Sequence, residues 1–217
     1  MTCRMSGITG ITNKIMVQCL KALHHYFCHA DAVSSEPIYT WTEIGREGGA
    51  MRFAANYDRN AVVLYAHQWA YGRNPAFYDY EHLGGDCTNF ASQCVFAGSG
   101  VMNFTPTFGW YYIDSNQKAP AWTGVPYFYN FLTRQGRSVG PMGRDSTMEE
   151  IRPGDIIQLS FSGEAFQHSP VVVSVGDPIT PENILVAAHS YDADNRPLAT
   201  YEYRDIRFIH IEGTMLP

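Results

Sequence analysis

The stretch GGDCTNFASQC, residues Gly84 to Cys94, decides how this chain is read. Phe90, Ala91, Cys94 and Val95 recur at the three- and four-residue spacing of a buried helix stripe. Asp86 stands where an N-cap would, and Cys87 is then the first residue of the helix. Cys94 lies on the stripe and is expected in the core. Cys87 lies at the helix N-terminus, where unpaired N–H groups and the helix dipole favour an anion and lower a thiol pKa. Two glycines before it allow close approach of a substrate backbone. From this segment alone a nucleophilic thiol and a packed cysteine are both open readings.

Upstream, DRNAVVLYAHQWAY (58–71) places Asp58 as an N-cap and Val62, Tyr65, Ala66 and Trp69 at helical spacing. The Cys87 helix is expected to run to about Ala97 and to end at GSG. A short helix is expected over 125–134. The period then changes to two, and strands are expected in RPGDIIQLSF, HSPVVVSV, ILVAAHSYD, LATYEY and IRFIHIEG. Helices followed by a mainly antiparallel sheet make an α+β architecture. Residues 1–50 differ from the rest and end in the linker-like GREGGA, so they read as an extension of unknown role before a domain at 51–217. Ile15, Cys19, Ala22 and Tyr26 could line a short helix face there.

The 217 residues suit one domain with an extension, and a 45% hydrophobic share suits a globular chain. The net charge is −6 with no Lys/Arg run, which argues against nucleic acid and against an anionic membrane surface. No run of 18 apolar residues suggests a membrane span. Gln18, Lys21, His24 and His25 interrupt the only signal-like stretch, so a cytoplasmic location is expected, with release or export to a cell wall left open. The five cysteines are an odd number without a disulfide framework. Cys87 and Cys94 are ~10 Å apart along one helix, too far to pair.

A thiolate needs a base. Among eight histidines, His168 opens an apolar strand just after the loop SGEAFQ. Pairing VVVSV with ILVAA around the turn GDPITPEN puts His168 opposite residues 189 to 191. His189 could then lie beside His168 and orient its ring. Asp192 is the alternative third member, reachable only if a bulge changes the strand parity.

Taken together, DRNAVVLYAHQWAY, GGDCTNFASQC, GWYY, AWTGV, PGDIIQL, HSPVVVSV and AAHSYDADNRPL resemble the putative amidase domain family of bacteria. That family looks like a branch of the papain-like cysteine hydrolases related to the NlpC/P60 and CHAP cell-wall enzymes. The likeness covers residues 55 to 205. It implies a Cys-His-polar triad of Cys87, His168 and His189 on a helix packed against an antiparallel sheet. It also implies hydrolysis of an amide in a peptide or peptidoglycan fragment through an acyl-enzyme.

Secondary candidates follow. Asn89 and Gln93 share a helix face and could reach an oxyanion or substrate; a polar structural face is the alternative. Tyr78 or Tyr80 could add an oxyanion donor. Trp110, Tyr111, Tyr112 and Trp122 could line a groove or pack a core. Asp86 is read as the helix cap and Asp155 as a turn residue. No cofactor is expected. His25, Cys28, His29 and Asp31 are ligand types without a second matching group, and a zinc set of Cys87, His168 and His189 would be adventitious, so no metal is expected. Oligomeric state is left open.

Overall fold

The computed structural model describes residues 52–54 and 57–217. The readings at residues 1–50, including the helix face at Ile15 and the ligand types around Cys28, lie outside the described residues.

The first helix, α1 (Arg59–Trp69), starts where the sequence predicts, with the Asp58 carboxylate accepting from the Ala61 N–H at 2.9 Å. Val62, Tyr65 and Ala66 form its buried face. The second, α2 (Cys87–Ser99), ends at Gly100, whose φ of 68° is the left-handed conformation of a helix stop. The two helices meet at Gly98. A side chain there would come within 2.5 Å of Val62 and 2.8 Å of the Asp58 carbonyl, so only glycine permits this approach. Cys94 is fully buried between them, as its place on the stripe predicts.

A seven-stranded sheet follows. It comprises β1 (Arg52–Ala54), β4 (Gly140–Ser146), β5 (Ile156–Ser160), β6 (Val171–Ser174), β7 (Leu185–Ala188), β8 (Ala193–Pro197) and β9 (Asp205–Leu216). The order is β1-β9-β5-β6-β7-β8, with β4 also paired to β9, and every pairing is antiparallel. The protein is therefore α+β, with every strand of this sheet except β1 following the α-helices.

One strand expectation changes, and two strands, β8 and β4, appear that were not expected. LATYEY is not a strand: Pro197 closes β8, and Leu198–Thr200 form a 3-10 turn with Leu198 fully buried. The strand before it, β8, is polar (ADNRP) and carries Asn195 at φ 53°, so its sequence hides its pairing with β7. Strand β4, rich in glycine and charge, is held by the twelve residues of β9.

Between helix and sheet, β2 (Tyr112–Asp114) and β3 (Gln117–Lys118) form a small hairpin, followed by α3 (Pro120–Thr123) and α4 (Val125–Leu132). This region supplies an aromatic core. Trp110 and Trp122 are fully buried with centroids 4.9 Å apart, and Phe77, Phe128 and Phe131 stack around them. Asp155 does more than turn the chain. Its buried carboxylate accepts from Arg59, the Ile211 N–H and the Arg152 N–H, and contacts His210, tying α1 to β9. Among the described residues, no helix is long and apolar enough to cross a membrane.

Candidate active site

Cys87 occupies the first turn of α2. The chain reaches it through Gly84 and Gly85, both at φ 103°, a region that disfavours side chains. At Gly85 a Cβ would also sit 3.0 Å from the Ser190 hydroxyl, which accepts from the Asp86 N–H at 2.8 Å. The tight turn and its clamp on Ser190 fix where the cysteine emerges.

The Cys87 Sγ is buried. It lies 3.8 Å from the Gln167 carbonyl and 3.8 Å from the Thr88 hydroxyl, and it receives the Ser169 backbone N–H. Burial raises the thiol pKa. The Thr88 hydroxyl and the backbone N–H groups of Ser169 and Thr88 act in the opposite direction without overcoming it. The resting group is a neutral thiol, despite the helix terminus that favours a thiolate.

His168 lies between the two residues whose backbones touch Sγ. Its side chain takes the other direction. His168 pairs with Leu159, and paired residues project to the same side of a sheet. Leu159 belongs to the apolar core of Ile157, Val172, Val186 and Leu198. Ser169 points to the opposite side, toward α2, with its hydroxyl 3.2 Å from Thr88 Oγ1 and 3.2 Å from Gln158 Nε2. The His168 ring packs near Phe161 and Tyr201, with centroids at 6.0 and 5.7 Å. No hydrogen bond joins it to Cys87 among the described residues. Burial, reinforced by the Arg196 charge, lowers its pKa to about 4, so the imidazole is neutral.

His189 is not beside His168. The pairs Val171↔Ala187 and Val172↔Val186 continue to set His189 opposite Ser169 and His168 opposite Ser190. The two histidines therefore project from opposite faces of the sheet. His189 stacks on Phe90 of α2 at 4.0 Å. Its Nε2 lies 2.9 Å from the Trp69 carbonyl, which can only accept, so Nε2 carries a proton. Its Nδ1 lies 2.5 Å from Asp86 Oδ2. Both ring nitrogens are engaged, and the expected orientation of His168 by His189 is absent from this arrangement.

Asp86 is likewise not the helix cap in the expected sense. It stands at the N-cap position without a side-chain capping bond. Its carboxylate instead accepts from the Tyr80 N–H at 2.9 Å and Asn89 Nδ2 at 2.8 Å, besides meeting His189. This buried network anchors the turn that presents Cys87. The sequence signal for it was the acid directly before the cysteine, which local capping rules absorbed.

The remaining candidates separate cleanly. Asn89 is saturated by Asp86, the Tyr78 carbonyl and the Trp122 indole, and Gln93 accepts from Tyr65. The Asn89 amide is therefore not free to hold an oxyanion, and Gln93 is buried against Tyr65 of α1. Trp110 and Trp122 are core, with indole N–H groups on Ser92 and Asn89. Asp192 pairs with Arg73 at 3.0 Å, away from His168. Tyr80 directs its hydroxyl to the Ser115 carbonyl at 3.5 Å. Tyr78 is exposed, at 47%. Tyr201, which lies beside His168, was hidden in the expected strand LATYEY. No group of three metal-ligating side chains occurs among the described residues.

Residues 56–211 match the model of the family described as "Putative amidase domain", and the chain belongs to that family. The chain is 33% identical over 162 residues to "Uncharacterized protein YhbB" of Bacillus subtilis (strain 168). That match takes in 73% of this chain and 50% of the relative, so the chain spans about half the relative's length. No solved structure matches.

Proposed function

We propose that the protein is a cysteine-dependent amide hydrolase of papain-like fold, related to the NlpC/P60 and CHAP enzymes, acting on a peptide or peptidoglycan peptide. Cys87 is the nucleophile and His168 the general base. The observation that carries the reading is the place of Cys87. It begins a 13-residue helix, with Sγ held between the backbone groups on either side of His168. In the reaction His168, on the segment whose backbone holds Sγ, is assigned the thiol proton. The sulfur adds to the amide carbonyl, the imidazolium protonates the leaving amine, and water releases the acyl group. His189 serves through Asp86, holding the nucleophile turn in place, and the Cys87 backbone N–H is available to the oxyanion.

The test is digestion of peptidoglycan and wall peptides by the wild type and by Cys87→Ala. New amine ends from the wild type alone are expected, with the variant folded and inert. Equal release by the variant refutes a cysteine mechanism.

A second reading is a binding module of the same fold. It is favoured by the neutral thiol and neutral imidazole, which lack a mutual hydrogen bond in this structure. Wall-peptide binding without turnover would select it. An acyltransferase using the same Cys-His pair would instead release an acylated amine when amine is added.

A further inference from the structure

A line of polar side chains crosses from the sheet to α2 and ends at the nucleophile. It starts at Arg207 of β9. The guanidinium lies against two rings, with Cζ 3.5 Å from the Tyr129 centroid and 4.0 Å from that of Phe166, the residue before Gln167. Burial lowers its pKa, with Tyr129, Asp145 and Asp205 opposing, and the group stays charged. Arg207 pairs with Gln158 of β5, so the two share a face of the sheet. Arg207 Nε donates to Gln158 Oε1 at 2.9 Å, and Nη2 donates to the same oxygen. A guanidinium only donates, and the Val125 carbonyl, 3.0 Å from Nε2, only accepts, so the Gln158 amide has one orientation. Nε2 then donates to Ser169 Oγ at 3.2 Å. The Ser169 proton is left for Thr88 Oγ1, 3.2 Å away, and the Thr88 proton for Cys87 Sγ at 3.8 Å. Every bond runs toward the sulfur. Gln158, Ser169 and Thr88 are buried, and apolar residues of the same shape would serve stability as well.

We propose that Arg207 is a positioning residue that orients the Gln158, Ser169 and Thr88 donors toward Cys87 Sγ and so favours its thiolate over its thiol. This rests on Cys87 being the nucleophile of the hydrolase reading above. A chain whose donors all point one way strengthens along its length, and a fixed charge at its far end polarises it. Burial of the sulfur and the Asp86 carboxylate beside it act against ionisation, and the Thr88 hydroxyl acts for it. His168 on the adjoining segment is neutral and adds no charge. The chain thus offsets part of the cost of ionising a buried thiol, at the one group that must lose its proton to react.

The experiment measures iodoacetamide alkylation of Cys87 across pH, read by peptide mass mapping. It compares the full-length wild type, Thr88→Val, Ser169→Ala, Arg207→Met and the double variant Arg207→Met with Thr88→Val. Thr88→Val removes the donor that touches sulfur and should slow alkylation at neutral pH about 10-fold, the scale of one hydrogen bond to a charged group. Arg207→Met keeps an apolar stem beside the two rings and removes the donors; it should slow alkylation about threefold, since its effect is relayed. Ser169→Ala breaks the chain in the middle with Arg207 left in place and should slow alkylation by an amount between these. In each variant the rate with the thiolate fully formed should match the wild type, which a merely structural defect would change. The double variant should equal Thr88→Val, because Arg207 then has no path to the sulfur. Effects that multiply in the double variant, or an unchanged profile in Ser169→Ala or Arg207→Met, overturn the proposal alone. A changed limiting rate in both of those single variants makes the chain structural and also overturns it. Alkylation needs no substrate, so the hydrolase reading is tested apart: amine ends released equally by Cys87→Ala remove that reading, and the proposal with it.

Discussion

Lowering the pH should destabilise this protein through His168. The imidazole titrates at about 4 in the fold, because it is buried and faces the Arg196 charge. In the unfolded chain its pKa is about 6.5. Between these values the unfolded state binds a proton that the folded state refuses. Stability from this group is therefore complete above about pH 6.5 and falls as the pH drops toward 4. The whole interval corresponds to about 3 kcal/mol, of which about 2 kcal/mol is lost by pH 5. Urea unfolding of the wild type and His168→Leu at a series of pH values measures it. Leucine suits the apolar neighbours Leu159 and Tyr201. Other carboxylates and histidines titrate in both proteins, so the difference between the two curves isolates His168. The wild-type curve should fall below the variant's slope by the amount given. Parallel curves would refute a buried neutral imidazole at this position.

Further outcomes follow from the same geometry. His189→Leu leaves the buried Asp86 carboxylate without its strongest partner and should lower unfolding stability by about 3 kcal/mol in urea; a loss within error would mean that Tyr80 and Asn89 suffice. Gly85→Ala meets both a positive φ and the Ser190 hydroxyl, so it should destabilise the fold by at least ~1 kcal/mol and displace the Cys87 turn, read as a changed alkylation rate. Iodoacetamide should react with Cys87 of the free protein only as the pH rises above the ordinary thiol range of about 8.5, since burial raises this thiol. A thiolate already formed at neutral pH would show that the pair assembles without substrate.

The helical half of the domain was legible because its cues are local. Asp58 caps α1 by reaching three residues ahead, and the stripe through Phe90 and Cys94 needs only the helical period to be seen. The same period put Cys87 at a helix start. The aromatic stretch was ambiguous, since tryptophan suits a groove and a core equally. Burial of Trp110 and Trp122 is decided by segments remote in sequence, namely Ser92 and Asn89 on α2. Asp86 misled for a related reason. An aspartate before a helix is a local cap by default, and here a histidine 103 residues away claims it instead.

The sequence by itself determined the class of fold, the order of helices and strands, and the helix N-terminus at Cys87. It brought His168 and His189 to neighbouring strands through the turn between them. Only the tertiary structure decided that they face opposite ways. Side chains alternate along a strand, so a register known to within one residue leaves the face undetermined. The pairing Val171↔Ala187 resolves it, placing His189 with Asp86 under the nucleophile turn and His168 with Tyr201 on the far side of the sheet.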